Sequence, residues 1–230
     1  MYLSRIRLNP TRIKTRQLLG SPQITHALVE GSRPPGAVDG DGRVLWRIDA
    51  NGPDIELYVS SPWRPDFTGV VEQAGWPTAA TWDTREYGAF LASLQAGQRW
   101  SFRVTANPTR VVSRGEGLRG KVVPHRTASH QIEWFGARAG GWGFDIASNS
   151  LGEAELVLVG RGSRAFPRRS GQLTDDGEGR PRGSRVAITQ VTLIGALKVV
   201  DPDALRTALI SGMGRARGYG CGLMTLAPPR

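Results

Sequence analysis

The chain has 230 residues, and 30 Lys and Arg against 20 Asp and Glu give a formal net charge of +10. Its 39% hydrophobic content excludes wholesale disorder, and the basic surplus points to a polyanionic partner, nucleic acid ahead of acidic membrane. The single cysteine, Cys221, excludes an internal disulfide and a cysteine-rich metal site, which suits the reducing cytoplasm. No apolar run approaches the roughly 18 residues that a membrane-spanning helix needs, so no membrane partner is expected.

The opening residues, Met1-Tyr2-Leu3-Ser4-Arg5-Ile6-Arg7-Leu8, alternate apolar and polar and carry arginines where an export signal needs an unbroken apolar stretch. They read as a strand. A helical stretch over 11–30 follows, interrupted at Gly20 and restarted by Ser21 as N-cap with Pro22 at the first helical position. Val44, Trp46 and Ile48 alternate with Leu45, Arg47 and Asp49, and Ile55, Leu57 and Val59 with Glu56 and Tyr58; Asn51-Gly52-Pro53 joins them, a strand pair around a turn. The pattern predicts a helix over 84–95 and a strand over 100–104, completing β-α-β-β-α-β by residue 106. That order is the ferredoxin-like unit. Asn107 to Gly120 reads as a linker. A second unit is expected beyond it: a strand over 119–124, a helix over 127–139, strands over 142–147, 154–160 and 185–199, a helix from Asp201-Pro202 to 211, and a strand over 222–227. The expected fold class is thus α+β, two tandem ferredoxin-like (RRM-like) domains divided as 1–108 and 109–230.

Residues 212–222 read Gly-Met-Gly-Arg-Ala-Arg-Gly-Tyr-Gly-Cys-Gly. Glycines 212, 214, 218, 220 and 222 let backbone approach closely, and Arg215 and Arg217 among them point to an RNA-facing loop. The loop follows a helix and opens a strand, the reverse of a dinucleotide-binding loop, and lacks the Gly-Lys-Ser/Thr of a P-loop. This placement, in a chain of two ferredoxin-like units, resembles the repeat-associated RNA-binding proteins of CRISPR systems. The ending Gly220-Cys221-Gly222-Leu223-Met224-Thr225-Leu226-Ala227-Pro228, the opening Met1-Tyr2-Leu3-Ser4, Thr105-Ala106-Asn107-Pro108 and Val199-Val200-Asp201-Pro202 are similar to the CasE family, in family order along the chain.

That resemblance implies an endoribonuclease of type I-E Cascade. It would cleave CRISPR repeat RNA at the 3′ base of its stem-loop by 2′-OH attack, without metal or cofactor. It would then remain on the crRNA beside the other Cascade subunits, above all the backbone subunit nearest the crRNA 3′ end. A catalytically weak hairpin-binding subunit of the same complex is the alternative. A single-strand binder is disfavoured, because the strands lack paired surface aromatics.

Of the three histidines, none lies at metal-ligand spacing, and His125 and His130 read as surface or packing residues. In the helix begun at Pro22, Ile24 and Leu28 are expected to form the buried stripe, with His26 facing outward. Geometry alone makes that a commonplace surface histidine. The resemblance places the family's catalytic histidine at His26, and imidazole can take or give a proton at neutral pH. Family members often carry a tyrosine three residues earlier, where this chain has Gln23, which cannot exchange protons. Ser32 and Arg33 are candidate supports for the scissile phosphate.

Arg161, Arg164, Arg168, Arg169, Arg180, Arg182 and Arg185 fall in one stretch without lysine, which favours bidentate phosphate contact. The resemblance makes this a basic hairpin gripping the repeat stem, mostly through its backbone. Asp175 and Asp176 read as turn residues rather than a metal site.

Overall fold

The computed structural model describes residues 1–38, 40–77, 82–113, 115, 118, 120–167 and 185–229, without the side chains of Pro167, Arg185 and Val186. The first strand is β1 (Tyr2–Leu8), followed by helices α1 (Ile13–Gly20) and α2 (Pro22–Glu30), then strands β2 (Leu45–Asn51) and β3 (Asp54–Ser61). A short helix α3 (Thr68–Ala74) comes next, preceded by Asp66, whose carboxylate accepts from the Thr68 amide and hydroxyl. Strand β4 (Trp82–Glu86) completes an antiparallel sheet ordered β2-β3-β1-β4. Its fourth, first, third and second strands lie side by side, the ferredoxin-like arrangement. Ile6, Leu8, Leu57 and Val59 project from this sheet onto Leu18, Val29, Phe67 and Val70 of the three helical segments.

Two expectations are corrected here. The predicted helix over 84–95 splits: 82–86 is strand, and only α4 (Gly88–Ala92) is helical. Tertiary pairing overrides local helix propensity, because β4 lies along β1 with Ser4 hydrogen-bonded to Thr84 at 2.9 Å and Arg5 paired with Asp83 at 3.1 Å. The helix of the first unit is instead α3, whose brevity and two adjacent valines hid it. The strand expected to close that unit is β5 (Arg99–Ala106), and it pairs within the second sheet.

The rest of the chain comprises β6 (Thr109–Val112), β7 (Lys121–Pro124), α5 (Ala128–Ala139), β8 (Phe144–Ile146), β9 (Leu156–Pro167), β10 (Arg185–Val199), α6 (Pro202–Ser211) and β11 (Met224–Ala227). The second sheet runs β11-β5-β10-β8, again fourth, first, third and second strand of a β-α-β-β-α-β unit. β7, predicted as the first strand of this unit, instead pairs with β6 as a separate two-stranded ribbon. Phe102, Val104, Leu193 and Leu197 meet Trp134 and Phe135 of α5 and Leu205 and Leu209 of α6 in one core. The long strand β10 pairs with β5 through its C-terminal half, while β9 runs along it from Leu156 to Pro167 as a hairpin arm.

A buried arginine joins the two sheets. Arg47 on β2, 1% exposed, donates from Nε and Nη2 to both Asp49 carboxylate oxygens at 2.8 and 2.7 Å. Its Nη1 donates to the carbonyls of Arg103 at 2.8 Å and Leu223 at 3.1 Å, and Nη2 reaches Thr225 Oγ1 at 3.0 Å. A buried guanidinium is tolerated only when its donors are met, and this one meets them from both units.

Candidate active site and nucleic-acid interface

The helix that carries His26 begins as its sequence dictates. Ser21 Oγ accepts from the Ile24 amide and Pro22 occupies the first turn. Its buried stripe, however, is Pro22, Thr25 and Val29, with Ile24 37% exposed and Leu28 only partly buried. The cause is a polar tie: Thr25 Oγ1 donates to the Leu18 carbonyl at 2.9 Å, turning α2 so that Thr25 faces α1. His26 consequently sits at the rim of the buried stripe with its side chain 39% exposed.

The two imidazole nitrogens have different surroundings. Nδ1 is buried without a hydrogen-bond partner, and Glu30 Oε1, one turn on, stands 3.9 Å from it. That is beyond hydrogen-bond distance. Nε2 faces the glycine loop of the second unit: a Cβ at Gly218 would lie 3.5 Å from it, in ordinary contact. Glycine at 218 therefore leaves the nitrogen uncovered.

The loop reaches this position by folding back on itself. After α6, the Met213 amide donates to the Gly222 carbonyl at 3.0 Å, and the Gly222 amide donates to the Thr105 carbonyl of β5 at 2.7 Å. A single 3-10 turn, Arg217–Tyr219, packs between these ties and α2. Gly212, Gly214, Gly220 and Gly222 all have positive φ, as does Ala216, whereas Gly218 does not. At Gly220, φ is 79° and a Cβ would strike the Trp46 ring at 2.7 Å, so both backbone and space require glycine. The close approaches at Gly212, Gly214, Gly220 and Gly222 are to Leu45, Trp134, Trp46 and Met213. The loop is a packed element of the protein.

The other expected site residues divide sharply. Gln23 lies one turn before His26 on α2, half-buried. Ser32 is 3% exposed; its hydroxyl donates to the Val29 carbonyl at 2.6 Å and its carbonyl accepts from Asp66 at 2.9 Å. Those bonds give it a structural task at the end of α2. Arg33 is exposed and donates to the Ala37 carbonyl at 2.6 Å. Arg215 is exposed and Arg217 half-buried. Arg164 on β9 donates to the Leu19 carbonyl at 2.6 Å, which brings the arginine arm against the junction of α1 and α2. Arg161 is exposed and donates to the Arg126 carbonyl. Arg168, Arg169, Arg180 and Arg182, with Asp175 and Asp176, lie outside the described residues, as does the side chain of Arg185.

A cleft of about 420 Å³ opens between the units, lined by Leu19, Pro22, Trp46, Arg161, Arg164 and Gly220. Arg161 and Arg164 also border a wider groove of about 1280 Å³, whose far wall holds Arg110, Lys121, Arg126 and His125. Local pattern gives no sign that these cations belong together, since only Arg110 falls in the expected linker and the others follow it. The spacing Arg110…Lys121 becomes a single surface only once β6 and β7 pair, with Val112 opposite Lys121. His125 and His130 stand 6.0 Å apart here, and burial, then Arg110, lowers the pKa of His125. Among the described residues no group of three or more His, Cys, Asp or Glu side chains is placed to hold a metal ion, and no helix is long and apolar enough to cross a membrane.

This architecture has relatives. The chain is 26% identical over 99% of its length to the whole of the CRISPR-associated endoribonuclease Cse3 of Thermus thermophilus. It superposes with a TM-score of 0.79 on a CRISPR endoribonuclease Cse3 bound to a 19-nucleotide RNA, at 25% identity and covering 99% of this chain and 100% of that one. A subunit in a structure of a CRISPR RNA-guided surveillance complex in a pre-nicking state shares the fold, with a TM-score of 0.61 and 24% identity over the full length of both chains. The family of CRISPR associated proteins matches residues 1–228, and this chain belongs to it.

Proposed function

We propose that this protein is the endoribonuclease that processes CRISPR repeat RNA and then stays on the product within the Cascade surveillance complex, in the cytoplasm. The observation that carries the reading is the setting of His26. Its Nε2 edge is left open at the seam where α2 meets the loop of the second unit, in a chain related end to end to a Cse3 endoribonuclease. Arg164, tied to the end of α1, lines the cleft beside that seam. With Arg161 and the cations of the ribbon it offers a basic track along which a stem can lie, gripped through phosphates. Arg168, Arg169, Arg182, Arg185 and Arg215 are proposed to extend this grip.

The reaction is internal transesterification. The 2′-oxygen forms a bond to the adjacent phosphorus and the bond from phosphorus to the 5′-oxygen breaks. The 2′-hydroxyl proton goes to a base, and a proton reaches the departing 5′-oxygen. The products are a 2′,3′-cyclic phosphate and a 5′-hydroxyl, and no metal is required. His26 handles one of these two protons, a contribution of about 10²–10⁴-fold. Gln23 orients the phosphate or the hydroxyl by hydrogen bonding, since an amide exchanges no proton at neutral pH. Ser32, with its hydroxyl committed to Val29, supports the end of α2. We also place the division between the units ahead of β5 rather than at residue 108, because β5 is the inner strand of the second sheet.

Incubating the protein with a repeat transcript in excess chelator tests the reading. One cut at the 3′ base of the stem supports it. Tight binding without a cut supports the scaffold reading, which Gln23 favours.

A further inference from the structure

The glycine loop holds one charged side chain in a slot built by its own backbone. Arg217 begins the turn whose next residue, Gly218, lies against the His26 ring. Its stem runs through space left by two missing side chains: a Cβ at Gly212 would meet Arg217 Cδ at 3.3 Å, and one at Gly222 would meet its Cγ at 3.4 Å. Nε donates to the Gly214 carbonyl at 3.0 Å, which fixes the plane of the guanidinium. Among the described residues, neither terminal amino group donates to a protein acceptor, and no carboxylate pairs with Arg217.

A second cation acts on it electrostatically. Burial, then Arg43, lowers the pKa of Arg217, though a guanidinium remains charged at any pH near neutrality. Arg43 is exposed and lies two residues before Leu45, whose side chain faces the open side of Gly212. Two positive groups that act on each other repel, and an anion between them relieves the cost.

We propose that Arg217, with Arg43 beside it, grips the non-bridging oxygens of the scissile phosphate and stabilises the charge that gathers there during cleavage. This assignment rests on the endoribonuclease reading. Arg217 neither takes nor gives a proton. It forms charge-assisted hydrogen bonds that strengthen as the 2′-oxygen bonds to phosphorus and the bond to the 5′-oxygen breaks. A fixed guanidinium at that point eases the demand on a second proton-transfer group, which Gln23 cannot be.

The test compares single-turnover cleavage of the repeat hairpin with affinity for the same hairpin lacking the nucleophilic 2′-hydroxyl. Arg217→Met should slow cleavage by about 10²–10³-fold, the scale for loss of one oxyanion donor, with affinity held within a few-fold. Arg217→Lys should fall between Met and wild type, because an ammonium cannot bond two oxygens in one plane. Sulfur in place of a non-bridging oxygen should slow the wild-type protein and leave Arg217→Met indifferent. Arg43→Gln, at an exposed position, tests the pair should the Met variant not fold, and should show a smaller loss of rate at constant affinity. Wild-type rates in Arg217→Met and Arg43→Gln would overturn the assignment, as would rate and affinity falling by the same factor. An uncut substrate with wild-type protein would instead overturn the endoribonuclease reading, and this assignment with it.

Discussion

The glycine loop and the arginine arm are both basic, glycine-containing and flagged by composition, yet the structure uses them in opposite ways. In the loop, glycines admit protein: Trp46, Trp134, Leu45 and the loop's own backbone fill the places of the missing side chains. Along β9 the glycines meet little, Gly162 having nothing within contact of a Cβ, and the arm stands open beside a groove of about 1280 Å³. A packed basic segment can fix one group beside a reacting atom. An open one can hold a long polyanion by many weak contacts. The difference teaches that changes in the loop should act on rate and stability, whereas changes in the arm should act on affinity and its salt dependence.

His26→Ala should produce the largest effect, a loss of cleavage of about 10²–10⁴-fold with hairpin affinity within a few-fold. A matching loss of affinity would move His26 out of the chemistry and into the grip. Gly220→Val should come next. Placing a β-branched side chain at φ 79° against the Trp46 ring should cost about 1–3 kcal/mol in backbone strain alone, read as a lower midpoint in denaturant. Full stability would mean that the loop is only a connector. Arg47→Leu should cost about 1–3 kcal/mol, since it frees β11 and β5 from β2 and leaves Asp49 with Arg103 as its remaining partner. The loop would then lose its register against α2, so cleavage should fall more than affinity.

Gly218→Ala is a finer probe. Its methyl would rest 3.5 Å from His26 Nε2 without steric clash or unusual φ, so the fold should be unchanged and the rate several-fold lower. An unchanged rate would show that substrate approaches the imidazole from another side. Arg164→Gln should have the smallest effect, a few-fold in affinity with the salt slope reduced by about one. Should it alter the rate at saturating RNA instead, the contrast between loop and arm would collapse.

Much of this was legible in the sequence, for reasons that particular residues make plain. Period-2 runs such as Trp100, Phe102 and Val104 announced strands because one face is buried. Ser21-Pro22 and Asp201-Pro202 announced helix starts because capping is local chemistry. What the sequence withheld was pairing between distant segments. β5 reads as a strand, but its pairing with β10 and β11 has no local signal, and residues 84–86 of β4 read as helix, since strand partners are set by tertiary contacts. Helix rotation was withheld likewise: Thr25, polar by composition, is buried through its bond to Leu18, displacing Ile24 from the expected stripe. His26 stood out only through the family resemblance, and the meeting of Gly218 with its ring, nearly the whole chain apart, had no signal in local pattern.

The most direct test of the account uses the wild-type protein and a repeat hairpin in which the nucleotide before the scissile phosphate carries hydrogen in place of its 2′-hydroxyl. Normal binding and no cut are expected, and, on the all-ribose hairpin, a chelator-resistant cut leaving a 2′,3′-cyclic phosphate. Cleavage of the deoxy substrate at the normal rate would make water or a metal-bound hydroxide the nucleophile and contradict the chemistry assigned to His26.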